Sequence, residues 1–168
     1  AAYQPMWVAR AQQLTCLCNV LASAAIFSED LVTAYEALQI SEELCLDPFA
    51  SLPHGLELRL WTADLMAMYL RRMGQHSVCL LQLRKALRVE GVTKLPQIVV
   101  VLMSHTGLVL SEMGRHSQAL SQLQEASSLG NRLQPLAWKC MSLHCMSHLV
   151  TVPFEYLKSI LKHNVAVE

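Results

Sequence analysis

The segment MGQHSVCLLQLRKA, residues 73–86, recurs forty residues later as MGRHSQALSQLQEA, residues 113–126. The two copies share Met, Gly, His, Ser, Leu, Gln, Leu and Ala in the same order and in register. A unit that recurs at a fixed period is typical of proteins built from stacked helical repeats. The duplication therefore predicts a scaffold of repeated helical units before any chemical motif is considered.

Helical periodicity dominates the chain on both sides of this duplication, and strand signals are nearly absent. The apolar spacing predicts eight helices, near 5–26, 29–46, 56–73, 75–90, 96–113, 115–130, 135–150 and 153–164. Most connections are short turns, so consecutive helices should pack antiparallel. We therefore predict one all-α domain over residues 1–168, with repeats at about 5–46, 56–90, 96–130 and 135–164.

The composition excludes several classes of protein. Of 168 residues 53% are apolar and only 15% are charged, which argues against disorder. Some of this apolar surface should be covered by neighbouring chain or by a partner, and the apolar ends lead us to expect a segment of a longer protein. No apolar run is longer than six residues, as at 98–103, which is too short for a membrane span, so no membrane association is expected.

The six cysteines indicate a reducing compartment. They lie at positions 16, 18, 45, 79, 140 and 145, mostly within apolar helical patterns. Buried free thiols in such surroundings are typical of cytosolic or nuclear proteins. We expect an intracellular location, cytoplasmic or nuclear.

The duplicated units resemble the tetratricopeptide repeat. In that family a small residue on the first helix of each pair lies against the second helix, and the small side chain lets the helices approach to about 8–10 Å. The residues that carry the resemblance are Ala67, Gly74, Cys79, Leu80, Leu83 and Ala86 in one copy, and Gly107, Gly114, Ala119, Leu120, Leu123 and Ala126 in the next. His76 and His116 depart from the pattern, because the family usually has an aromatic residue there.

A fainter first copy aligns Ser28, Leu31, Ala34 and Ala37 with Ser77, Leu80, Leu83 and Ala86. The spacing of 40 residues between the clear copies exceeds the family's usual period. Longer, degenerate repeats of this kind are similar to those of separase, the cohesin loader, anaphase-promoting-complex subunits and kinesin light chain. The resemblance implies an α-α superhelix and, among these examples, a role in the cell cycle.

The same resemblance implies a groove for a protein partner, lined by the first helix of each pair. The residues expected to face it are Trp61, Asp64, Met68, Arg71, Val101, Ser104, His105, Leu108, Ser111, Trp138 and Ser142. A mixed apolar and polar strip suits an extended peptide or a helix. For each residue, packing on an adjacent repeat is an equally good interpretation.

Metal binding and catalysis find little support in the sequence. Cys140, His144 and His148 share one helix face, but one straight helix cannot surround a tetrahedral zinc ion. The acidic residues are scattered, and no Gly-rich phosphate loop precedes a helix. We expect no enzymatic activity, no metal and no cofactor.

The predicted function is a non-catalytic protein-interaction scaffold within a multi-subunit assembly. One alternative is a helical regulatory arm of a large enzyme, such as a separase-like protease. A second is a nucleic-acid-associated repeat, which would use the basic residues Arg71, Arg72, Arg84, Lys85, Arg88 and Lys94. Zero net charge and the lack of interleaved aromatic residues argue against nucleic acid.

Overall fold

The computed structural model describes residues 6–45, 54–130 and 132. These residues form six α-helices, a short 3-10 turn at Val92–Lys94, and no strand. The helices are α1 (Met6–Phe27), α2 (Leu31–Leu44), α3 (Gly55–Arg72), α4 (His76–Ala86), α5 (Pro96–Glu112) and α6 (His116–Gly130). The all-α prediction is confirmed for this part of the chain. The predicted helices 135–150 and 153–164, with Trp138 and Ser142, lie outside the described residues.

The helix predicted at 75–90 is shorter than expected and ends at Ala86. The chain then turns through Gly91, whose φ of 82° favours glycine, and forms the 3-10 turn. Pro96 then occupies the first turn of α5, where its missing N–H costs nothing.

Three equivalent turns join the helices into pairs: α1 with α2, α3 with α4, and α5 with α6. Each turn contains one left-handed residue, Glu29, Gly74 or Gly114, with φ of 64°, 71° and 73°. In each, the next backbone N–H reaches back 2.9 Å to a carbonyl five residues earlier, as in Asp30 to Ala25 and Gln75 to Leu70. These turns reverse the chain within three residues, so the helices of a pair lie antiparallel, as predicted.

A small residue on the first helix of each pair makes the close approach. Ala22, Ala67 and Gly107 occupy equivalent places, and both alanines are fully buried. A Cβ on Gly107 would lie 2.5 Å from Cγ of Leu123 in α6. The expected contact between α5 and α6 at Gly107 is therefore present.

The second helices bury the same three positions in every pair. These are Ala34, Leu38 and Ser41 in α2, Cys79, Leu83 and Ala86 in α4, and Ala119, Leu123 and Ala126 in α6. The alignment predicted for the first copy was wrong by one helical turn, since Ala34 lies at the position of Cys79 and not at that of Leu83. The cause is a 45-residue spacing between the first two units, against 40 for the next.

The pairs pack on one another through shared apolar cores. Leu80 of α4 is buried with Leu102 and Val109 of α5. A second core joins α1, α2 and α3 around Ala22, Leu38 and Met66. Leu120, the α6 equivalent of Leu80, is only half-buried, in contrast to its predicted place in the packing stripe. None of the described helices is long and apolar enough to cross a membrane.

Candidate interaction surface

The first helices of the pairs, α1, α3 and α5, are linked side by side through buried polar groups. Asn19, Asp64 and Ser104 occupy equivalent positions, and all three are buried. The Thr62 hydroxyl donates to Oδ1 of Asn19 at 3.1 Å and so joins α3 to α1. Nδ1 of His105 lies 2.7 Å from Oδ1 of Asp64 and joins α5 to α3, with the ring nitrogen donating to the carboxylate. Because breaking a buried hydrogen bond is costly, these contacts favour one lateral alignment of the three helices.

An ion pair connects the carboxyl ends of α3 and α5. Nε of Arg71 lies 2.9 Å from both carboxylate oxygens of Glu112, and Nη2 lies 2.6 Å from Oε1. Nδ1 of His76, at the start of α4, lies 3.6 Å from Oε2 of the same carboxylate. Such a forked contact holds the guanidinium in one orientation, so Arg71 is fixed in place along the surface.

The predicted groove residues fall into two groups. Asp64, Ser104, Leu108 and Ser111 are buried, which corrects the expectation that the whole set lines an open strip. A helix face that packs against neighbouring helices cannot also face solvent, and for Asp64 the covering side chain is His105 of the adjacent helix.

The other predicted groove residues retain partial exposure. They are Trp61, Met68 and Arg71 on α3, and Val101 and His105 on α5. We call these five residues the α3/α5 strip. Trp61 and Met68 also pack against the core shared by α1, α2 and α3, so their ring and thioether are partly fixed. The strip thus combines anchored apolar groups with a fixed guanidinium and an imidazole.

The sequence reasoning missed Asn19, Thr62 and Glu112, the partners that connect the first helices. Asn19 could have been found from its equivalence to Asp64 and Ser104, had the 45-residue spacing been recognised. Thr62 and Glu112 have no counterpart of similar chemistry in the other units, so only the fold reveals their partners.

The thiol of Cys79, which lies near Asp64, Arg71 and Glu112, is unsuited to nucleophilic chemistry. Burial, reinforced by the negative charge of Asp64, raises the pKa of Cys79 to about 12. The thiol therefore stays protonated at neutral pH, and the thiolate is the reactive form. Cys79 serves as a small apolar residue at the place that Ala34 and Ala119 occupy in the other pairs.

The predicted basic cluster is divided in the structure. Arg84, Lys85, Arg88 and Lys94 are exposed around the end of α4. Arg71 and Arg72 are instead paired with Glu112 and Glu29. The cluster is therefore smaller than the sequence indicated.

An open pocket of about 690 Å³ lies between the end of α2, the start of α3 and the end of α4. Its lining carries both signs of charge, with Glu42 and Glu43 facing Arg59 and Lys85. Burial raises the pKa of Glu42. Cys45, also in the lining, has its pKa raised by burial. Because the lining mixes positive and negative side chains, the pocket favours neither an anionic nor a cationic ligand.

Within residues 6–45, 54–130 and 132, no group of three or more His, Cys, Asp or Glu side chains is arranged to hold a metal ion. The one candidate from the sequence, Cys140 with His144 and His148, lies outside that part of the chain. No family model, no curated protein and no solved structure matches this sequence.

Proposed function

We propose that this protein is a non-catalytic scaffold of tetratricopeptide-like repeats that binds an extended peptide or a helix of another protein. The observation that supports it best is the α3/α5 strip, which lies across two helices held in register by Asp64–His105 and Arg71–Glu112. A surface that is already rigid loses little conformational entropy on binding. The proposal also places the protein inside the cell, since the described cysteines are all free thiols.

The chemistry of the strip favours a partner with an apolar anchor. Trp61 is half-buried, so its indole offers a fixed flat surface rather than a mobile one. Trp and Arg are the residues most often found as binding hot spots. Arg71 is already neutralised by Glu112, so an acidic partner would have to compete with that carboxylate. We therefore expect recognition to depend more on Trp61 and Val101 than on charge.

The test is affinity capture from cell extract, followed by calorimetry with each purified partner identified by mass spectrometry. Trp61→Ala and Val101→Lys should each weaken binding about tenfold or more, as expected for the centre of an interface. Val78→Lys is the matched control, because Val78 is 50% exposed on α4, away from the strip. Circular dichroism would establish that each variant is folded. A partner that binds all three variants equally well would exclude the strip as the binding surface.

Nucleic acid remains the second candidate, supported by the exposed Arg84, Lys85 and Arg88 on and just after α4. Binding through phosphates would weaken steeply as salt rises. Fluorescence anisotropy with a labelled single-stranded oligonucleotide, at several salt concentrations, would detect it. Arg84→Glu/Arg88→Glu should abolish any such binding and leave the protein partner unaffected.

A further inference from the structure

The contacts of α3 identify the face that the next pair of helices covers. Asp64 pairs with His105 of α5, and Arg71 pairs with Glu112 at the carboxyl end of the same helix. Met68 lies between Asp64 and Arg71 at steps of four and three residues, so all three share one side of α3. This side of α3, marked by Asp64, Met68 and Arg71, faces α5.

The equivalent face of α5 is buried at least as deeply, although none of the described helices takes the place beside α5 that α5 takes beside α3. Forty residues on from the α3 positions lie Ser104, Leu108 and Ser111, which are 0%, 3% and 5% exposed. Met68, the α3 counterpart of Leu108, remains half-buried. Within the described part of the chain, α5 packs mainly against α3, α4, α6 and the 3-10 turn. Burial of this face therefore requires a further segment that excludes water from it.

We propose that residues 135–150 of this chain form that segment, as a helix packed along α5 in the way that α5 packs along α3. The occupant is the chain itself, because residues 133–168 follow closely on α6 and amount to nearly one 40-residue unit. A short tether gives a neighbouring segment a high effective concentration at the adjacent surface, so it competes well with separate molecules. The inference does not depend on the proposed binding of a partner to the α3/α5 strip.

The connection after α6 matches the one that leads into α5. Gly130 and Pro135 are five residues apart, as are Gly91 and Pro96. Between α4 and α5, this spacing brings the chain from the second helix of one pair to the first helix of the next, where proline occupies the first turn. The same spacing after α6 predicts a first helix that begins at Pro135 and lies beside α5.

The composition of residues 135–150 suits a helix that is packed on several sides. Apart from two histidines, its only charged residue is Lys139. The buried helix α5 likewise holds one histidine and, as its only other charged residue, Glu112. A helix with a broad face in water normally carries more charged residues than this.

Alignment of the two Gly–Pro connections gives the expected register. His144 then takes the place of His105, which lies 2.7 Å from Asp64 across the contact between α3 and α5. The α5 counterpart of Asp64 is Ser104, so His144 is expected beside the Ser104 hydroxyl, which can donate or accept a hydrogen bond. The three buried α5 positions thus belong to a contact within the chain rather than to the surface offered to another protein.

Hydrogen exchange measured by mass spectrometry on the purified full chain tests whether the segment is docked. A synthetic peptide of residues 135–150 is the reference, because a helix of this length is marginal in water on its own. We expect the amides of this segment to exchange at least about tenfold more slowly in the protein than in the peptide. Equal exchange in protein and peptide would overturn the proposal and leave the face to a second copy or to another protein.

Two variants test whether α5 is the docking surface. Leu108→Glu places a charge on the buried face. Ser111→Lys places one near the carboxyl end of α5, where an uncovered lysine would reach water and favour the helix. Each should raise exchange in residues 135–150 toward that of the peptide. The helices α1 and α2 should keep the parent's protection, because a repeat is stabilised mainly by its immediate neighbours.

Leu81→Glu is the matched control, because it makes the same change at a leucine that is 54% exposed on α4. It should leave exchange in residues 135–150 unchanged. If Leu108→Glu lowers protection throughout the chain, Ser111→Lys decides the outcome, since lysine is unfavourable at that position only where another segment covers it. Protection of residues 135–150 that survives Ser111→Lys would show that the segment docks elsewhere, and the proposal would be wrong.

Discussion

At the scale of single residues, Gly107 sets the distance between α5 and α6. We expect Gly107→Ala to lower the free energy of unfolding by up to about 2 kcal/mol, because overpacking of about 1–3 kcal/mol outweighs the roughly 1 kcal/mol helix preference of alanine. The clash with Cγ and Cδ2 of Leu123, at 2.5 and 2.8 Å, is its cause. Urea denaturation measures the change.

The reverse substitution at the equivalent place is the control for Gly107. Ala67→Gly removes a buried methyl group and weakens α3, so it should also destabilise, by about 1–2 kcal/mol. If Gly107→Ala instead stabilised the protein, the α5–α6 contact would be loose enough to accept a methyl group.

Cys79 gives the protein a specific response to alkaline pH. The folded-state pKa of about 12 exceeds the ordinary value of 9.0, so folded and unfolded chains hold the same thiol proton below pH 9. As the pH rises above 9, the unfolded chain loses that proton first, and stability falls by at most about 1.4 kcal/mol per pH unit from this group. We expect the loss to be present in the parent and smaller in Cys79→Ala.

Cys79→Ala should fold well, because alanine occupies the equivalent positions 34 and 119. Urea denaturation of both proteins between about pH 7 and pH 10.5 measures the difference, and titration of the other groups cancels in the comparison. Parallel pH profiles for parent and variant would show that the Cys79 proton does not distinguish the two states.

At the scale of helices, the Asp64–His105 contact holds α5 against α3. Asp64→Ala should lower the free energy of unfolding by about 1–3 kcal/mol, because it leaves the His105 N–H without this acceptor in a largely buried place. Asp64→Asn keeps an acceptor oxygen and should cost less than half as much. Thermal or urea denaturation measures both variants.

A double-mutant cycle separates this contact from general burial. Asp64→Ala combined with His105→Ala should be less destabilising than the sum of the two single changes, by about 1 kcal/mol or more. Strict additivity would show that the hydrogen bond does not couple α3 to α5.

The turns between paired helices were predictable only where the repeat places a glycine. The turns at Gly74 and Gly114 were expected from the sequence, because only glycine adopts positive φ without strain. At the equivalent turn, the sequence predicted a break between helices but placed Glu29 at the start of the second one, because glutamate gives no signal for a left-handed residue. That placement shifted the alignment of α2 by one turn, although Ala34 and Leu38 follow the same burial pattern as their counterparts.

At the scale of the whole molecule, α3 is packed by α1 and α2 on one side and by α4 and α5 on the others, whereas the main contacts of α1 among the described helices are with α2 and α3. Stability in a stacked repeat is a sum of unit and neighbour terms. We therefore expect amide hydrogen exchange to be slowest in α3 and faster in α1. Mass spectrometry of exchanged peptides would measure this, and uniform protection across both helices would contradict it.

The candidate site was only partly predictable from the sequence. Periodicity placed Trp61, Arg71 and Val101 on the first helices, where they are found half-exposed. It gave no means of distinguishing Val101 from Leu108, which is buried, since both lie on the same broad face of α5. Exposure along a helix depends on which neighbours pack against it, and that is a property of the assembled pairs.

The sequence by itself determined the all-α class, the helix pairs and the small residues at their contacts. These features are local, because they follow from apolar periodicity, turn-forming glycines and the size of side chains such as Gly107. Only the tertiary structure decided the partners of Asn19, Asp64 and Arg71 and the burial of four of the nine described groove residues. Those contacts join residues about forty positions apart, and their geometry exists only once the helices have packed.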